Sequence, residues 1–451
     1  MTTTGAGVAG ASPVERYVAA HRTFAGNGAG RAPGWLRELR AGGLARFGAL
    51  GFPTLREEEW RFTSVAPIAE TPFVLAPVPG TRQPSPAQLA PLGPAAGHRL
   101  VFVNGRFSER LSTAADVPAG VRIESLAGAV AHHPDLVERH LGRYAGQQQG
   151  PFAALNTAFV ADGAFVHVPA ACELTDPVEI LFVAVPGDGP EVCHPRNLIV
   201  LEHAARAVVV ERYVSLADGV YWTNAVTEIF AGDGARAECY RIQQESDRAF
   251  HVATTQAVQG RDSVVRLHPL VFGAALSRHD LRVVLDGAGG SLLLNGLYLL
   301  GGRQHADHHT VIDHARPHCE SHEYFTGVLD ERARGVFSGR IIVRPGAQRT
   351  DSKQTNNNLL LSSEAHADSQ PQLEIYADDV RCTHGSTVGP LDERALLYLR
   401  SRGIDEAEAR GLLTYGFAAE VLGRVALGPL RARLDALVRA RLARSGITGA
   451  P

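Results

Sequence analysis

Residues Gly287 to Gly301 read G-A-G-G-S-L-L-L-N-G-L-Y-L-L-G, a short apolar run with glycines on both sides. Such a run between turn residues is typical of a buried strand. Similar β-rich runs occupy residues 178–185, 197–201, 207–214, 264–272 and 336–343. Turn signals between about 163 and 388 recur mostly at roughly 13 to 15 residues, an even spacing that indicates a solenoid.

Two strands per coil would give roughly 25 to 30 residues in each turn of a β-helix. No long helical pattern separates these strands, which disfavours a doubly wound α/β sheet. A β-sandwich remains the structural alternative, because short strands at even spacing are typical of that fold as well.

The flanks of the β-rich region show different patterns. We expect an N-terminal helical region at 1–70, with one helix starting at Ser12-Pro13 and another over about 35–50 that Gly42-Gly43 interrupts. A proline-rich extended connector is predicted at 71–99 and a mixed α/β lead-in at 100–160, before a core at 161–389. After Pro390, acidic first turns and apolar residues at helical spacing predict a helical domain over 390–451.

Cys382 and His384 lie two residues apart in V-R-C-T-H-G-S-T-V-G. Alternate side chains of a strand share one face, so the thiol and the imidazole can address one iron or zinc centre. A cluster or a structural zinc site usually has four ligands, so this pair predicts a site shared with another chain. The alternative is a small buried Cys382 beside a His384 that makes a turn hydrogen bond.

A second group of candidate ligands follows Gln304. It comprises His308, His309, His314, His318 and Cys319, within a longer histidine-rich run from His305 to His322. These residue types bind zinc, iron or copper, but their spacing matches no standard metal motif, and hydrogen bonds and turn contacts are the alternative. Glu364, His366 and Asp368 share strand parity and would suit acid/base chemistry, although Pro371 nearby favours a loop.

Composition narrows the function class. The chain has 451 residues and a net charge of −3, which gives no reason to expect a nucleic-acid partner. No apolar run reaches membrane-spanning length and the start lacks a signal-peptide pattern, so a cytoplasmic location is expected. The five cysteines are scattered without a C-x-x-C pair, and Lys353 is the only lysine, so no P-loop is present and ATP hydrolysis by this chain is not expected.

Several long motifs carry a family resemblance. They are A-Q-R-T-D-S-K-Q-T-N-N-N-L-L-L at 347–361, P-Q-L-E-I-Y-A-D-D-V-R-C-T-H-G-S-T-V-G at 371–389, L-V-F-V-N-G-R-F at 100–107, E-E-W-R-F-T-S at 58–64 and F-A-A-L-N-T-A-F at 152–159. Together they resemble the SufB/SufD family of iron–sulfur cluster assembly proteins over roughly residues 50 to 425, and the N-terminal motifs resemble its SufD branch.

That resemblance implies a mainly β fold, with a right-handed parallel β-helix core between N-terminal and C-terminal helical regions. It implies a non-catalytic subunit that pairs with SufB through the C-terminal end of the β-helix, with a homodimer in isolation as a further arrangement. His384 first and Cys382 second would reach a transient iron–sulfur cluster shared with SufB, and no cofactor would be held tightly by the isolated chain. The C-terminal helical domain would dock the ATPase SufC. The expected docking residues are Leu396, Tyr398, Leu399, Arg402, Gly403 and Phe417.

Two other functions stay open. One is an architectural partner that holds SufB and SufC and supplies no cluster ligand. The other is a metal-dependent enzyme that uses the His305 to His322 run. The C-terminal helical domain has a structural interpretation as well, as a cap over the open end of the solenoid.

Overall fold

The β-rich runs form long parallel sheets in the computed structural model, which describes residues 12–26, 32–77, 82–93, 97–113, 116–144 and 150–444. The strands are β1 Val74–Leu75, β2 His98–Val103, β3 Arg106–Phe107, β4 Arg122–Ser125, β5 Ala164–Val168, β6 Val178–Ala184, β7 Glu191–Cys193, β8 Arg196–Leu201, β9 Arg206–Ser215, β10 Tyr221–Ala231, β11 Arg236–Gln244, β12 Phe250–Gln259, β13 Val264–Val271, β14 Leu276–Leu285, β15 Ser291–Leu300, β16 His305–His314, β17 Glu320–Leu329, β18 Arg334–Val343, β19 Thr350–Leu360, β20 His366–Ile375 and β21 Val380–Gly389.

Helices flank the strands at both ends of the chain. They are α1 Pro13–Gly26, α2 Gly34–Leu50, α3 Ala66–Glu70, α4 Pro86–Leu89, α5 Leu126–His132, α6 Pro134–His140, α7 Pro151–Ala158, α8 Glu393–Ser401, α9 Glu406–Leu422 and α10 Gly428–Arg444, with 3₁₀ turns at Glu58–Trp60, Ala90–Leu92 and Glu109–Leu111. No helix in the described ranges is long and apolar enough to cross a membrane.

Strands alternate between two sheets, as a β-helix requires. Sheet A has the order β20-β18-β16-β14-β12-β10-β8-β5-β4, and sheet B has the order β21-β19-β17-β15-β13-β11-β9-β6-β2-β3. From β5 and β6 onward the neighbours along these two orders pair in parallel, so each coil contributes one strand to each sheet. This arrangement confirms the parallel β-helix and excludes the sandwich, whose sheets are antiparallel.

The register gives the length of each coil. Trp222 pairs with Phe250 and Phe250 with Leu276, so these coils advance by 28 and 26 residues. Later coils are longer, since Arg334 pairs with His366, an advance of 32 residues. Coil length therefore varies around the predicted spacing, and each strand places alternate side chains inside the solenoid.

The inner side chains form one continuous apolar core along the solenoid. Its members include Ile229, Leu281, Tyr298 and Phe325, all almost completely buried. Polar side chains interrupt this core at particular coils. The candidate functional site lies where such polar side chains approach the end of the solenoid.

A stack of turns connects the coils at one corner. Asp262, His318 and Arg349 have positive φ in this stack, beside Gly234 and Gly289. Their backbone N–H groups bond to the next coil, as where His318 N donates to Gln348 O at 2.9 Å. Glycine, aspartate and histidine tolerate this left-handed conformation better than branched residues.

The N-terminal helices cover the outer face of sheet A. Ser12 and Glu15 form the predicted capping interactions at the start of α1. Gly42-Gly43 does not interrupt α2. A Cβ at Gly43 would lie 2.7 Å from the backbone N of Ala158, so this glycine allows close packing of α2 on α7. The expected break at the two glycines is therefore wrong.

The proline-rich segment is not extended throughout. Ser85 caps α4 through a capping box with Gln88, and Pro86 stands at the first helical position, where its missing N–H costs nothing. The 3₁₀ turn Ala90–Leu92 follows directly. Other prolines of this segment, Pro79 and Pro94, lie outside the described residues.

The C-terminal helices pack on the outer face of sheet B. Asp392 and Asp405 cap α8 and α9, and Gly403 ends the α8 turn with φ +88°. Val421 of α9 and Leu434 of α10 are buried in one cluster with outward residues of sheet B. That cluster includes Leu297, Leu299 and Val328. The interpretation of these helices as a cap on the open end is wrong, because their apolar faces are used along the side of the solenoid.

Candidate functional site at the open end of the solenoid

β20 and β21 end their sheets, so the last coil has no further strand beside it in the described part of the chain. Each edge carries backbone N–H and C=O groups that the sheet itself leaves unpaired. Native proteins normally cover or shorten such edges, since they pair readily with another chain. The two long edges therefore mark this end of the solenoid as a candidate interface.

Apolar side chains are exposed at the same end. Ile375, Tyr376 and Val388 are 41%, 61% and 47% exposed. Every residue of β21 is exposed or half-buried, whereas β19, its neighbour in sheet B, mostly alternates between buried and accessible positions. The inner layer of the last coil is thus open to a partner surface.

Cys382 and His384 share one face of β21, as the strand parity predicts, and this face is the inward one. Their register partners on β19 are Ser352 and Gln354, which are both buried. The Cys382 thiol is half-buried against the core, whereas the His384 imidazole is exposed. The structure therefore brings both groups to one side of the open end.

The two groups differ as metal ligands. Burial, with a smaller contribution from the Asp351 carboxylate, raises the pKa of the Cys382 thiol. A thiol binds metal as the thiolate, so this shift makes Cys382 the less ready ligand of the two. His384 needs no deprotonation of this kind to coordinate through a neutral ring.

Two rows of inward side chains lead from the interior to these residues. The Glu323 row consists of Leu294, Glu323, Gln354 and His384 on β15, β17, β19 and β21. The Ser321 row consists of Leu292, Ser321, Ser352 and Cys382 on the same strands. Both rows change from apolar to polar as they approach the open end.

Hydrogen bonds connect the polar members of each row. In the Glu323 row, Gln354 Nε2 donates to Glu323 Oε2 at 2.6 Å. In the Ser321 row, the Ser321 hydroxyl lies 2.9 Å from the Ser352 hydroxyl and 2.8 Å from His314 Nε2. Burial raises the pKa of Glu323 to about 7, against the hydrogen bond from Gln354, which lowers it. The sequence alone does not identify Glu323 or Ser321 as site residues, since only the coil register connects them to β21.

The histidine-rich run is dispersed over several surfaces. His308 points inward between the rings of Tyr298 and Phe325, whereas the next residue, His309, points outward and lies 3.1 Å from Asp307 (Nε2 to Oδ1). His314 is six residues further along β16, about 20 Å from His308.

The remaining members have local roles. His318 is exposed in the stack of turns and Cys319 is buried, with its Sγ 3.3 Å from Gly287 O. Among the residues that the structure describes, no three Cys, His, Asp or Glu side chains form a group suited to a metal ion. Within the described ranges, Cys382 and His384 thus remain a pair of candidate ligands without a third.

Residues 366–375 form a strand, so the expected loop near Pro371 is wrong. Pro371 is tolerated because β20 is an edge strand. His366 and Asp368 do lie together, with 3.3 Å between Nε2 and Oδ1, but Asp368 is bound to Arg334 at 2.7 Å. These side chains lie on the outer face of the coil and form an ion-pair group away from Cys382 and His384.

A second exposed surface lies on α8, three residues after β21. Leu397 and Tyr398 are 67% and 58% exposed, while Leu396 and Leu399 are half-buried. The Arg402 guanidinium lies 5.2 Å from the centre of the Tyr398 ring. Phe417, also predicted for this surface, instead packs toward sheet B from α9. Leu397 was missed by the sequence prediction, although it is the most exposed apolar residue of the helix.

Comparisons with known proteins agree over most of the chain. Residues 183–417 match the family described as "SUF system FeS cluster assembly, SufBD core domain", and residues 16–180 match the "SufBD protein N-terminal region". An iron–sulfur cluster assembly SufBD family protein of Synechocystis sp. is 35% identical over 410 residues, which cover 89% of this chain and 90% of the relative. The iron–sulfur cluster assembly protein SufD of Escherichia coli is 30% identical over 403 residues, again 89% and 90% of the two chains. SufD of Bacillus subtilis is 29% identical over 330 residues, covering 72% of this chain and 74% of the relative.

Proposed function

The chain belongs to the SufB/SufD family of iron–sulfur cluster assembly proteins, and from this premise we propose that it is the SufD-like subunit of a scaffold formed with SufB and SufC. A role in iron–sulfur cluster assembly follows from membership of the family. The proposal concerns the partners of this chain, the ligands of the cluster and the role of each subunit. It assigns no catalytic activity to this subunit.

The observation that carries the proposal is the uncovered last coil with its two inward ligands. SufB would pair with the edges of β20 and β21, which provides hydrogen-bond partners for both sheets and buries Ile375, Tyr376 and Val388. The isolated chain would offer the same edges to a second copy of itself. The same contact places the exposed His384 at the junction of the two subunits.

A nascent iron–sulfur cluster would be bound at this junction as the cargo that is later transferred. His384 would supply one ligand and SufB the others, because the described part of this chain offers only the pair Cys382 and His384 there. A neutral imidazole binds iron more weakly than a charged thiolate does, which would favour release of a cluster held for transfer. Cys382 is the second candidate, since its raised pKa disfavours the thiolate.

The ATP-dependent step belongs to SufC in this proposal. The single lysine, Lys353, is not part of a P-loop, so no phosphate-binding motif of that class is present. The exposed Leu397 and Tyr398 on α8 offer SufC an apolar contact. Only Pro390, Leu391 and Asp392 separate α8 from β21, so a displacement of α8 by SufC would reach the junction through a short connection.

The test is a comparison of cluster content in the assembled complex. This chain is co-expressed with SufB and SufC, purified without oxygen, and assayed for iron, acid-labile sulfide and visible absorption. His384→Ala is expected to lose most of the cluster while the complex remains assembled. His366→Ala is the matched control, because His366 is an exposed histidine of the same last coil on its outer face.

Unchanged cluster content in His384→Ala would contradict the ligand role. It would leave an architectural subunit that positions SufB and SufC. A parallel loss in His366→Ala would show that the last coil, rather than the imidazole, had been disturbed.

A further inference from the structure

The side chain behind His384 has an unused hydrogen-bonding atom. Gln354 is the register partner of His384 and is only 1% exposed. Its Nε2 donates to Glu323 Oε2, but its Oε1 has no hydrogen-bond partner in the described part of the molecule. Leaving a buried amide oxygen without a donor is unfavourable, so a native partner is expected.

Register places His384 directly beside Gln354 on the neighbouring strand. Neighbouring strands lie about 4.8 Å apart, and Gln354 stands between Glu323 on one side and His384 on the other. The amide nitrogen is already directed to Glu323. The oxygen on the same planar group is therefore available to the β21 side, where the imidazole N–H is a suitable donor.

The opposite wall of the solenoid approaches the Gln354 amide closely. A Cβ at Gly339 would lie 2.2 Å from Gln354 Nε2, so the glycine accommodates the amide and places no competing side chain against it. Glu323 is itself 2% exposed, and above its pKa of about 7 its carboxylate can only accept hydrogen bonds. The carboxylate therefore determines which end of the Gln354 amide faces β21.

We propose that Gln354 is a positioning residue for His384: its free Oε1 accepts the imidazole N–H, and Glu323 holds the amide in the orientation that makes this possible. The functional consequence rests on the proposed ligand role of His384. A ring with one nitrogen fixed as the donor presents the lone pair of the other nitrogen, and such support of a ligating histidine is common.

The tautomer of His384 tests this inference without cluster or partner. The isolated full chain is labelled with ¹⁵N-histidine, and the signals of His384 are identified by their absence from His384→Ala. At about pH 8.5, where an ordinary imidazole is neutral, a single tautomer gives two widely separated ring nitrogen shifts. We expect this separation in the wild type, and we expect the two shifts to move toward each other in Gln354→Met, which has a similar volume but no amide.

Two variants distinguish positioning from general disturbance. Ser352→Ala, in the adjacent Ser321 row and paired with Cys382, is expected to leave the His384 shifts unchanged. Glu323→Gln retains an acceptor for Gln354 Nε2 and is expected to preserve the separation. If Gln354→Met does not fold, Glu323→Leu removes the anchor with Gln354 in place and should bring the shifts together.

Unaltered His384 shifts in folded Gln354→Met, or in Glu323→Leu where that variant is used, would overturn the inference. So would equal convergence in folded Ser352→Ala. These outcomes are independent of the cluster assay. A wild type with a fixed tautomer, together with normal cluster content in His384→Ala, would refute the ligand role and leave the positioning by Gln354 standing.

Discussion

At the scale of single residues, Glu323 gives the solenoid a specific pH dependence. Burial raises its pKa from 4.5 to about 7, so between these values the folded chain binds more protons than the unfolded chain. The free energy of unfolding must therefore fall as pH rises through this window and level off above it. The shift corresponds to about 3 kcal/mol as an upper bound.

Glu323→Gln is expected to lack this pH-dependent loss. Denaturant unfolding of the two proteins between about pH 4.5 and 8 measures this effect. The free energy of unfolding of the wild type minus that of the variant should fall as pH rises. Glu58→Gln, at an exposed glutamate, is the control and should follow the wild type. Parallel curves for wild type and Glu323→Gln would show that the buried carboxyl does not titrate in this window.

Residue patterns allowed part of the site to be predicted. The i, i+2 spacing of Cys382 and His384 correctly placed both on one face of a strand, since this parity is a local property of any strand, but only the coil register shows that this face is the inward one. The pairing of His384 with Gln354 could not be predicted, because it depends on a coil length that varies from 27 to 31 residues along sheet B.

At the scale of elements, α8 is the least buried of the α-helices in the described ranges. Its neighbours α9 and α10 bury residues such as Leu422 and Leu434 on sheet B, whereas α8 has no fully buried residue. An amphipathic sequence identifies an apolar face but not the surface that covers it. This explains why the helical domain was predicted and its position along the side of the solenoid was not.

Leu397→Asp on α8 is expected to remove SufC from the purified complex while SufB is retained. A charge in an apolar contact is poorly compensated, and an exposed helical position tolerates the same change in the free chain within about 0.5 kcal/mol. Co-purification with SufB and SufC measures the effect. Val74→Asp, at an exposed apolar residue of β1, is the control. Retention of SufC by Leu397→Asp would place its contact elsewhere.

At the scale of the whole molecule, the solenoid is stabilised unevenly. Each coil contacts mainly the coils before and after it, so stability depends on how many neighbours a coil has. The middle coils, from β10 to β16, have neighbours on both sides and a buried interior, and the early coils are covered by the N-terminal helices. The last coil has one neighbour and an exposed inner face.

Amide hydrogen exchange should follow this order. Backbone groups of β20 and β21 are expected to exchange fastest among the solenoid strands of the free chain, and those of the middle coils slowest. Addition of SufB should slow exchange in β20 and β21 by roughly tenfold or more and leave the middle coils unchanged, because binding stabilises the segment that it covers. A homodimer of this chain would protect the same strands, so the free chain is measured over a range of concentrations. Protection that appeared on α1 and α2 instead, with the last coil still exchanging freely, would contradict pairing through the open end and would move the interface to the opposite part of the molecule.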